Sequence, residues 1–454
     1  MGITGFYQFL QENVSEAFAK ININIEQNIY FDHIYFDLNY LLHQCSYNSD
    51  SITFTLKKVE TMIKDVCQKF NPLQSINLCA DGSAPLAKIL LQRERRSNDS
   101  PDNFVLNFTP GSEFMNTLHE KLNSLKSKLE LIYSVKVNIL NLDVGESEIK
   151  IKSLILKNIN KNKSSTHLAV TNDADVVLIM SATKIYESIY ILTKNKEQNL
   201  VSIKTLIDKS DINSLDFCFL NLFLGNDYLP KLKIVTPEKL WNAYKIHKSY
   251  YKSLVEICTE SYEEYLKVND DFLKRILIDV IGQTKISVVN KSNLKSYDSD
   301  TIKSYLEGLM WCLNMYFFGD CINNHYMYEG LSIDPIHIIL FLNSMSINQT
   351  KNLRKTNSIS NDLCSIILLP YSARKLVNPK YYDFMDSNPI LYQSEHCKTC
   401  KKYKMIEQTT KMNEKTTKTN GEKNHQYLEH KKSHNNLLKS DIIDIQERFN
   451  QLCL

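Results

Sequence analysis

Seven acidic residues, Asp37, Asp81, Glu146, Glu148, Asp173, Asp175 and Asp227, each follow or flank a short apolar run. Several have small neighbours: Asp81-Gly82, Gly145-Glu146, Asp173-Ala174-Asp175 and Gly225-Asn226-Asp227. Carboxylates gathered in an interior repel one another, so burying them together is costly unless cations neutralise them. An all-oxygen donor set favours magnesium or manganese over zinc. Two such ions a few Å apart can activate water and stabilise the leaving oxygen of a phosphodiester. Any one of these acids alone reads better as a turn former or a helix cap. Seven at successive strand ends do not, although spacing by itself leaves their convergence open.

A second set is sharper. Lys88, Gln92, Arg95 and Arg96 fall at i, i+4, i+7 and i+8, one face of the helix expected after Asp81-Gly82-Ser83-Ala84-Pro85. Glu94 is the one acid interleaved and points away from that face. One Lys, two Arg and an amide in a stripe suit a terminal phosphate, because guanidinium forks grip its oxygens bidentately. The plainer alternative is a solvated charged face. A third set lies near the end: Cys397-Lys398-Thr399-Cys400, then His425, His430 and His434. A CxxC with a later His-x3-His is a zinc pattern, with Cys397, Cys400, His430 and His434 as the expected ligands. Its long spacer and Lys-rich setting favour a flexible basic tail. From His396 to Asn435 ten Lys stand against four Glu, enough to hold RNA through salt-sensitive phosphate contacts.

The elements that must position these groups are short. His33–Phe36 ends at Asp37, Ser75–Ala80 at Asp81, Val137–Leu140 runs into a loop before Glu146, and Thr166–Val170 precedes Asp173. Such strand-then-helix alternation predicts an α/β fold, a mostly parallel sheet flanked by helices, with its site outside the carboxyl ends of the strands. From Thr236 to Asp271 the spacing of Leu240, Tyr244, Tyr251, Leu254, Tyr262 and Tyr265 predicts helix. Val288–Asp300 and Ser346–Asn361 read as exposed connections. Helical sequence returns over Ile302–Phe318, Ile336–Met345 and Asp441–Leu452. There is no internal repeat.

Composition sets the class. The chain has 454 residues, 43% hydrophobic and 23% charged, which suits a globular protein with a sizeable core. A net charge of +3 means that a polyanion must be gripped by local patches. Eleven cysteines without a regular framework predict free thiols. No apolar run approaches the length that crosses a bilayer, no signal-peptide pattern follows Met1, and Phe6 stands where myristoylation wants Ser or Thr. The expectation is a soluble intracellular monomer with no membrane contact.

In order along the chain, these residues resemble the Xrn family of 5′→3′ exoribonucleases. Met1–Leu10 resembles its N-terminus and Tyr35–Cys45 its first metal motif. Asp81–Lys88 with Gln92–Arg96 resembles the second, and Thr109–Met115 a family signature. Gly145–Glu148, Asp173–Asp175 and Gly225–Pro230 complete that set. Glu307–Gly319, Leu368–Ser372 and Leu376–Pro379 resemble the family's second conserved region.

The resemblance implies a PIN/flap-nuclease-like core over residues 1–235 and a helical region completing the active site over 236–395. Residues 396–454 are expected to form a basic tail with a terminal helix. It implies that the seven acids bind Mg2+ (or Mn2+), and that Lys88, Gln92, Arg95 and Arg96 hold a 5′-monophosphate. Asn39 would position the scissile region and His43 would stack on the first base, a contact that is indifferent to sequence. A pocket of fixed cations rewards a terminal monophosphate over a cap, and each cleavage regenerates one. The implied substrate is single-stranded RNA, with a role in mRNA decay, a decapping factor as partner and a cytoplasmic location. The short chain suits a minimal member, of the kind expected from a virus (then in host cytoplasm) or a compact genome. Where the family has a Trp-rich segment for the other half of a base sandwich, this chain reads Asp320–Tyr328 without Trp, leaving His325 or Tyr326 as substitutes.

The nearest rival is a structure-specific, flap-type 5′ DNA nuclease, which shares the carboxylate logic. After Asp227, however, Leu229–Ile234 lacks the glycine-containing hairpin that grips duplex DNA. A catalytically inactive RNA-binding scaffold would have lost an acid, and all seven are present.

Overall fold

Runs rich in β-branched and aromatic residues line up as the central sheet of the computed structural model. It describes residues 3, 5–21, 29–47, 51–97, 100, 102–194, 198–282, 298–350, 355–393 and 437–453. The strands are β1 (Phe18–Lys20), β2 (Phe31–Asp37), β3 (Pro72–Cys79), β4 (Lys136–Leu140), β5 (His167–Val170), β6 (Ile189–Lys194) and β7 (Gln198–Ser202), in the order β1-β7-β6-β5-β2-β3-β4. β4, β3, β2, β5 and β6 run parallel; β7 and β1 are added antiparallel at one edge.

Helix α1 (Phe6–Asn13) precedes the sheet. Crossovers are made by α2 (Leu38–Ser46), α3 (Ile52–Phe70), α4 (Leu86–Ser97), α5 (Glu113–Tyr133), α6 (Ser147–Lys161) and α7 (Asp175–Ser181). Chain order runs outward from β2 to β3 and β4, then returns to the other side of β2 at β5. That reversal creates a crevice at the carboxyl ends of β2 and β5, the usual ligand position in such sheets.

Alternation along β2 supplies both layers. Ile34 and Phe36 join Ile63 and Leu118 in one core, while Tyr35 faces Ile151, Ala169 and Val176 in the other. Between the layers the buried Tyr35 is paired: its hydroxyl meets His167 Nδ1 at 3.0 Å and Asn158 Nδ2 at 2.9 Å. Helices start where sequence allows capping, with the Ser112 hydroxyl accepting from the Met115 amide at 3.2 Å.

Beyond β7 come α8 (Ile203–Ser210), α9 (Ser214–Leu222), α10 (Pro237–His247), β8 (Val255–Glu260), β9 (Glu263–Val268) and α11 (Asp270–Ile281). The helical reading of Thr236–Asp271 holds over α10 and is corrected beyond it, where β8 and β9 pair as an antiparallel hairpin. Its turn, Ser261-Tyr262, has φ of 50° and 70°, the two-residue geometry that matches strand twist. In β9 the inward positions are Leu266 and Val268, two apart, while Tyr265 lies on the other face and Tyr262 is fully exposed at the tip.

The remaining helices are α12 (Ser299–Phe318), α13 (Pro335–Leu342), α14 (Asn361–Leu368), α15 (Tyr382–Asp386) and α16 (Lys439–Leu452). The connection before α14 is less exposed than its polarity suggests, since Ile347 and Ile359 are buried. The predicted loop before α12 lies outside the described residues up to 297.

A third core joins this region to the sheet domain. Leu86 and Ile89 of α4 pack with Leu363 and Ile367 of α14, with Phe384, and with Ile442, Ile445 and Phe449 of α16. Arg93, on the opposite side of α4 from the stripe, donates to the carbonyls of Ile367 and Leu391. Phe449 sits 5.0 Å from the Tyr381 ring centre and 5.2 Å from that of Phe384. Among the described residues no helix is long and apolar enough to cross a membrane.

The docking of α16 is testable. Phe449→Ala removes a buried aromatic whose truncation costs about 3 kcal/mol. Denaturant titration should show that loss, and a change below about 1 kcal/mol would mean that α16 is not packed as described.

Candidate active site

Strand register explains how acids far apart in sequence meet. Asp37 stands opposite Cys79, so Asp81 lies two residues past the end of β3. Phe36 stands opposite Val170, so Thr171 follows beside Asp37, and Asp173 two residues later. Cys79 also stands opposite Leu140, from which a loop leads to Glu146 and Glu148 at the start of α6. Asp175 opens α7.

Asp37 does what the plain reading of a strand-end acid requires and more. One carboxylate oxygen caps α2 by accepting from the Tyr40 amide at 3.1 Å, and the other accepts from the Thr171 hydroxyl at 2.9 Å. Asp81 accepts from the Ser147 amide at 2.9 Å, and its own amide donates to Asn39 Oδ1 at 2.9 Å. The Asn39 side chain therefore ties β3 to α2. Asp173 accepts from the Asp175 amide at 3.0 Å, and Asp175 from the Ile3 amide at 3.2 Å.

Five of the seven acids, Asp37, Glu146, Glu148, Asp175 and Asp227, are buried. Burial, with the Asp81 charge second, pushes the Asp37 carboxyl up to about 7. Burial drives Glu148 well up too; Lys88 opposes this, while Asp81, Glu146 and Asp173 reinforce it. Asp175 is raised by burial and by Asp173 and Asp227. Glu146 is raised by burial against the opposing charge of Lys88. Asp227 is the exception: burial raises it, but Lys88 and Arg95 outweigh that and hold it low.

Lys88 is the main counter-charge. Its ammonium lies on Glu146 and 3.1 Å from Asp227 Oδ2, and Arg95 reaches Asp227 Oδ1 at 3.2 Å. Burial disfavours its charge, yet Glu146, Glu148, Asp227 and Asp173 together keep it firmly protonated. Lys88 thus stands at the junction of the two predicted sets, inside the acid cluster instead of in a separate phosphate pocket.

Gln92 Oε1 is buried without a hydrogen-bond partner among the described residues. Arg96 Nε donates to the Thr109 hydroxyl at 3.1 Å. His43 is exposed, with one side edge-on to Phe108 at 5.3 Å between ring centres.

Whether these residues fit divalent cations turns on their chemistry. Among the described residues no three His, Cys, Asp or Glu side chains close around one point as a finished cage. Lys88, bridging Glu146 and Asp227, occupies part of that space. The donors are all oxygen, largely buried and outnumber Lys88, Arg95 and the nearby Lys150, a combination that fits a hard cation. The zinc pattern of Cys397, Cys400, His430 and His434 lies outside the described residues.

The proposed stacking substitutes have other duties. Tyr326 is buried against Trp311, ring centres 4.8 Å apart, and donates to the Ser304 carbonyl at 3.0 Å. His325 Nε2 meets Gln446 Oε1 of α16 at 2.9 Å. Neither faces His43 as a second half of a sandwich.

Sequence reasoning missed three supporting residues. Tyr228, inside the Gly225–Pro230 run, donates its hydroxyl to Glu146 and stands edge-on to Trp311 at 5.1 Å. Its place in a motif was the available signal. Lys150 is buried, donating to the carbonyls of Ala80 at 2.8 Å and Asp143 at 2.6 Å. Asn361 bonds to loops more than 200 residues away, which no local pattern could announce.

The profile described as XRN 5′-3′ exonuclease N-terminus matches residues 1–105 and 98–195. Among curated proteins, 5′-3′ exoribonuclease 1 of Saccharomyces cerevisiae is 26% identical over 351 residues, covering 61% of this chain and 22% of that one. The Homo sapiens protein of the same name is 30% identical over 152 residues, covering 27% and 9%. A protein of Acanthamoeba polyphaga mimivirus, provisionally named a 5′-3′ exonuclease, is 28% identical over 217 residues, covering 38% and 33%. The chain thus spans about a fifth of the yeast protein's length and a third of the viral one's. Among solved structures, the catalytic core of Rad2 with a DNA substrate superposes at a TM-score of 0.39 and 12% identity, covering 78% of this chain and 98% of that one.

The raised carboxyls set a pH dependence. A carboxyl whose folded pKa exceeds its unfolded value stabilises the protein below the unfolded value and ceases to do so as pH rises through the folded one. In chelator, the melting temperature should therefore fall from about pH 6.5 to about pH 8, where the depressed pKa values of buried His33 and His167 no longer contribute. Magnesium should restore stability most at the upper end. A flat or rising profile in chelator would contradict the buried, uncompensated cluster.

Proposed function

We propose that this chain acts as an Xrn-type 5′→3′ exonuclease on single-stranded RNA carrying a 5′-monophosphate, a reading supported by the match of residues 1–195 to that family's N-terminal profile. The observation that carries this reading is the junction of the two charge sets. The basic face of α4 meets the buried acids directly, through Lys88 and Arg95 on Asp227 at 3.1 and 3.2 Å. A terminal phosphate held by Gln92, Arg95 and Arg96 would leave the next phosphodiester over the carboxylates.

Asp37, Asp81, Glu146, Glu148, Asp173, Asp175 and Asp227 are the residues that would hold magnesium or manganese, directly or through water. Such cations, when bound, lower the pKa of water and offset charge on the leaving oxygen. The chain's own groups do the rest. Tyr228 orients Glu146 by donating to it, Thr171 and the Tyr40 amide fix Asp37, and Asn39 holds the Asp81 backbone. Lys88, kept protonated by its neighbours, offers a proton donor and a positive charge beside the reacting phosphate. His43, exposed at the rim, would stack on the first base. The region after 236 completes the site from below, through Trp311 against Tyr228.

A role in mRNA decay, downstream of a decapping factor that generates the monophosphate, follows if the substrate is as proposed.

The test compares single-stranded RNAs with 5′-monophosphate, 5′-hydroxyl and 5′-triphosphate ends in magnesium, with a flapped DNA in parallel. The monophosphate should be degraded fastest, by at least about tenfold, and Asp173→Ala should abolish cleavage while RNA still binds. Equal rates on all three ends would remove the phosphate pocket. Preference for the flap would favour the DNA nuclease.

A further inference from the structure

Three loops of the sheet domain converge on one residue of the distant second region. Asn361, the first residue of α14, donates from Nδ2 to the Leu142 carbonyl at 2.8 Å. Its Oδ1 accepts from the Ser83 amide at 2.7 Å. Ser83 is two residues beyond Asp81, and Leu142 is four before Glu146. The two loops are also laced to each other, Gly82 amide to Gly145 carbonyl and Gly145 amide to Ser83 carbonyl, both at 2.8 Å.

Glycines mark how closely the parts approach. A Cβ on Gly82 would overlap the Asp143 carbonyl and come within 3.0 Å of Asn361 Oδ1. A Cβ on Gly111, whose φ is +78°, would overlap the Asn361 carbonyl. The main chain of Asn361 thus seats against the Thr109–Met115 segment while its amide spans the loops after β3 and β4.

On the metal reading of the acid cluster, we propose that Asn361 is a positioning residue. It sets the spacing of Asp81 from Glu146 and Glu148 and so the affinity of the site for divalent cations. The role needs a donor and an acceptor on one short planar group. Aspartate keeps the acceptor but turns an oxygen toward the Leu142 carbonyl; alanine supplies neither. Lys150 braces the same loops from inside through the Ala80 and Asp143 carbonyls, so losing Asn361 loosens their outer edge without unfolding them.

The test uses the full chain and Mn2+ alone, followed by titration calorimetry or electron paramagnetic resonance. Asn361→Ala and Asn361→Asp should each weaken Mn2+ binding by about tenfold or more, the usual effect of losing a support behind metal ligands. The KM for RNA should stay within about twofold, and the Mn2+ needed for half-maximal cleavage should rise in step.

Ser360→Ala is the control. It removes the hydroxyl that caps the same helix, which accepts from the Leu363 amide at 3.2 Å, and touches neither loop. It should lower the melting temperature but leave Mn2+ affinity unchanged. Wild-type affinity in Asn361→Ala, or an equal loss in Ser360→Ala, overturns the inference and leaves the parent reading standing. Absence of Mn2+ binding by the unsubstituted protein overturns both. Hydrogen exchange provides a metal-free reading: faster exchange over 81–85 and 141–146 in Asn361→Ala is expected, and unchanged exchange counts against the role.

Discussion

The carboxyl ends of the parallel strands gather more negative charge than the protein's own cations answer, and the rest of the structure is arranged around that imbalance. Burying ionised carboxylates is expensive unless they are paired and hydrogen-bonded. Here each acid has partial compensation: a backbone amide for Asp37, Asp81, Asp173 and Asp175, a tyrosine hydroxyl for Glu146, the Ser147 hydroxyl for Glu148, and cations for Glu146 and Asp227. What remains uncompensated is felt as carboxyls pushed well above their ordinary pKa. A site under such tension is suited to take up divalent cations and, next to them, a phosphate.

The second region is best understood as a support for this cluster. Trp311 of α12 backs Tyr228, which holds Glu146. α14 carries Asn361 to the loops after β3 and β4, while its apolar face covers α4 from beneath. Arg93 pins α4 to that same side through the carbonyls of Ile367 and Leu391, leaving Lys88, Gln92, Arg95 and Arg96 toward the crevice. α16 closes the same core, and through Gln446 it also holds His325. The Asp320–Tyr328 segment is spent on packing, Tyr326 against Trp311 and His325 on Gln446.

Much of this was legible in the sequence because its cause is local. Apolar runs ending in Asp or Glu reveal strands with acids at their ends, and a spacing of i, i+4, i+7 and i+8 reveals one face of α4. Register, which turns strand ends into neighbours, follows once the sheet is parallel. Three features were not legible. The β8–β9 hairpin was hidden because its tyrosines mimic helical spacing and its turn, Ser261-Tyr262, lacks the glycine that usually marks one. Asn361 sits in a polar stretch that resembles a loop, and its partners are distant in sequence. Lys88 was assigned to phosphate by its face of the helix; its position among the acids depends on side-chain length and on what surrounds it.

Uptake of divalent cations by the raised, buried carboxyls can be followed by counting protons. Mg2+ should be titrated calorimetrically into chelator-stripped protein near neutral pH, in buffers of different ionisation enthalpy. Binding should release protons, because carboxyls held partly protonated by burial must ionise to become ligands. Binding with no proton release, or no binding at all, would contradict a cation site built on raised carboxyls.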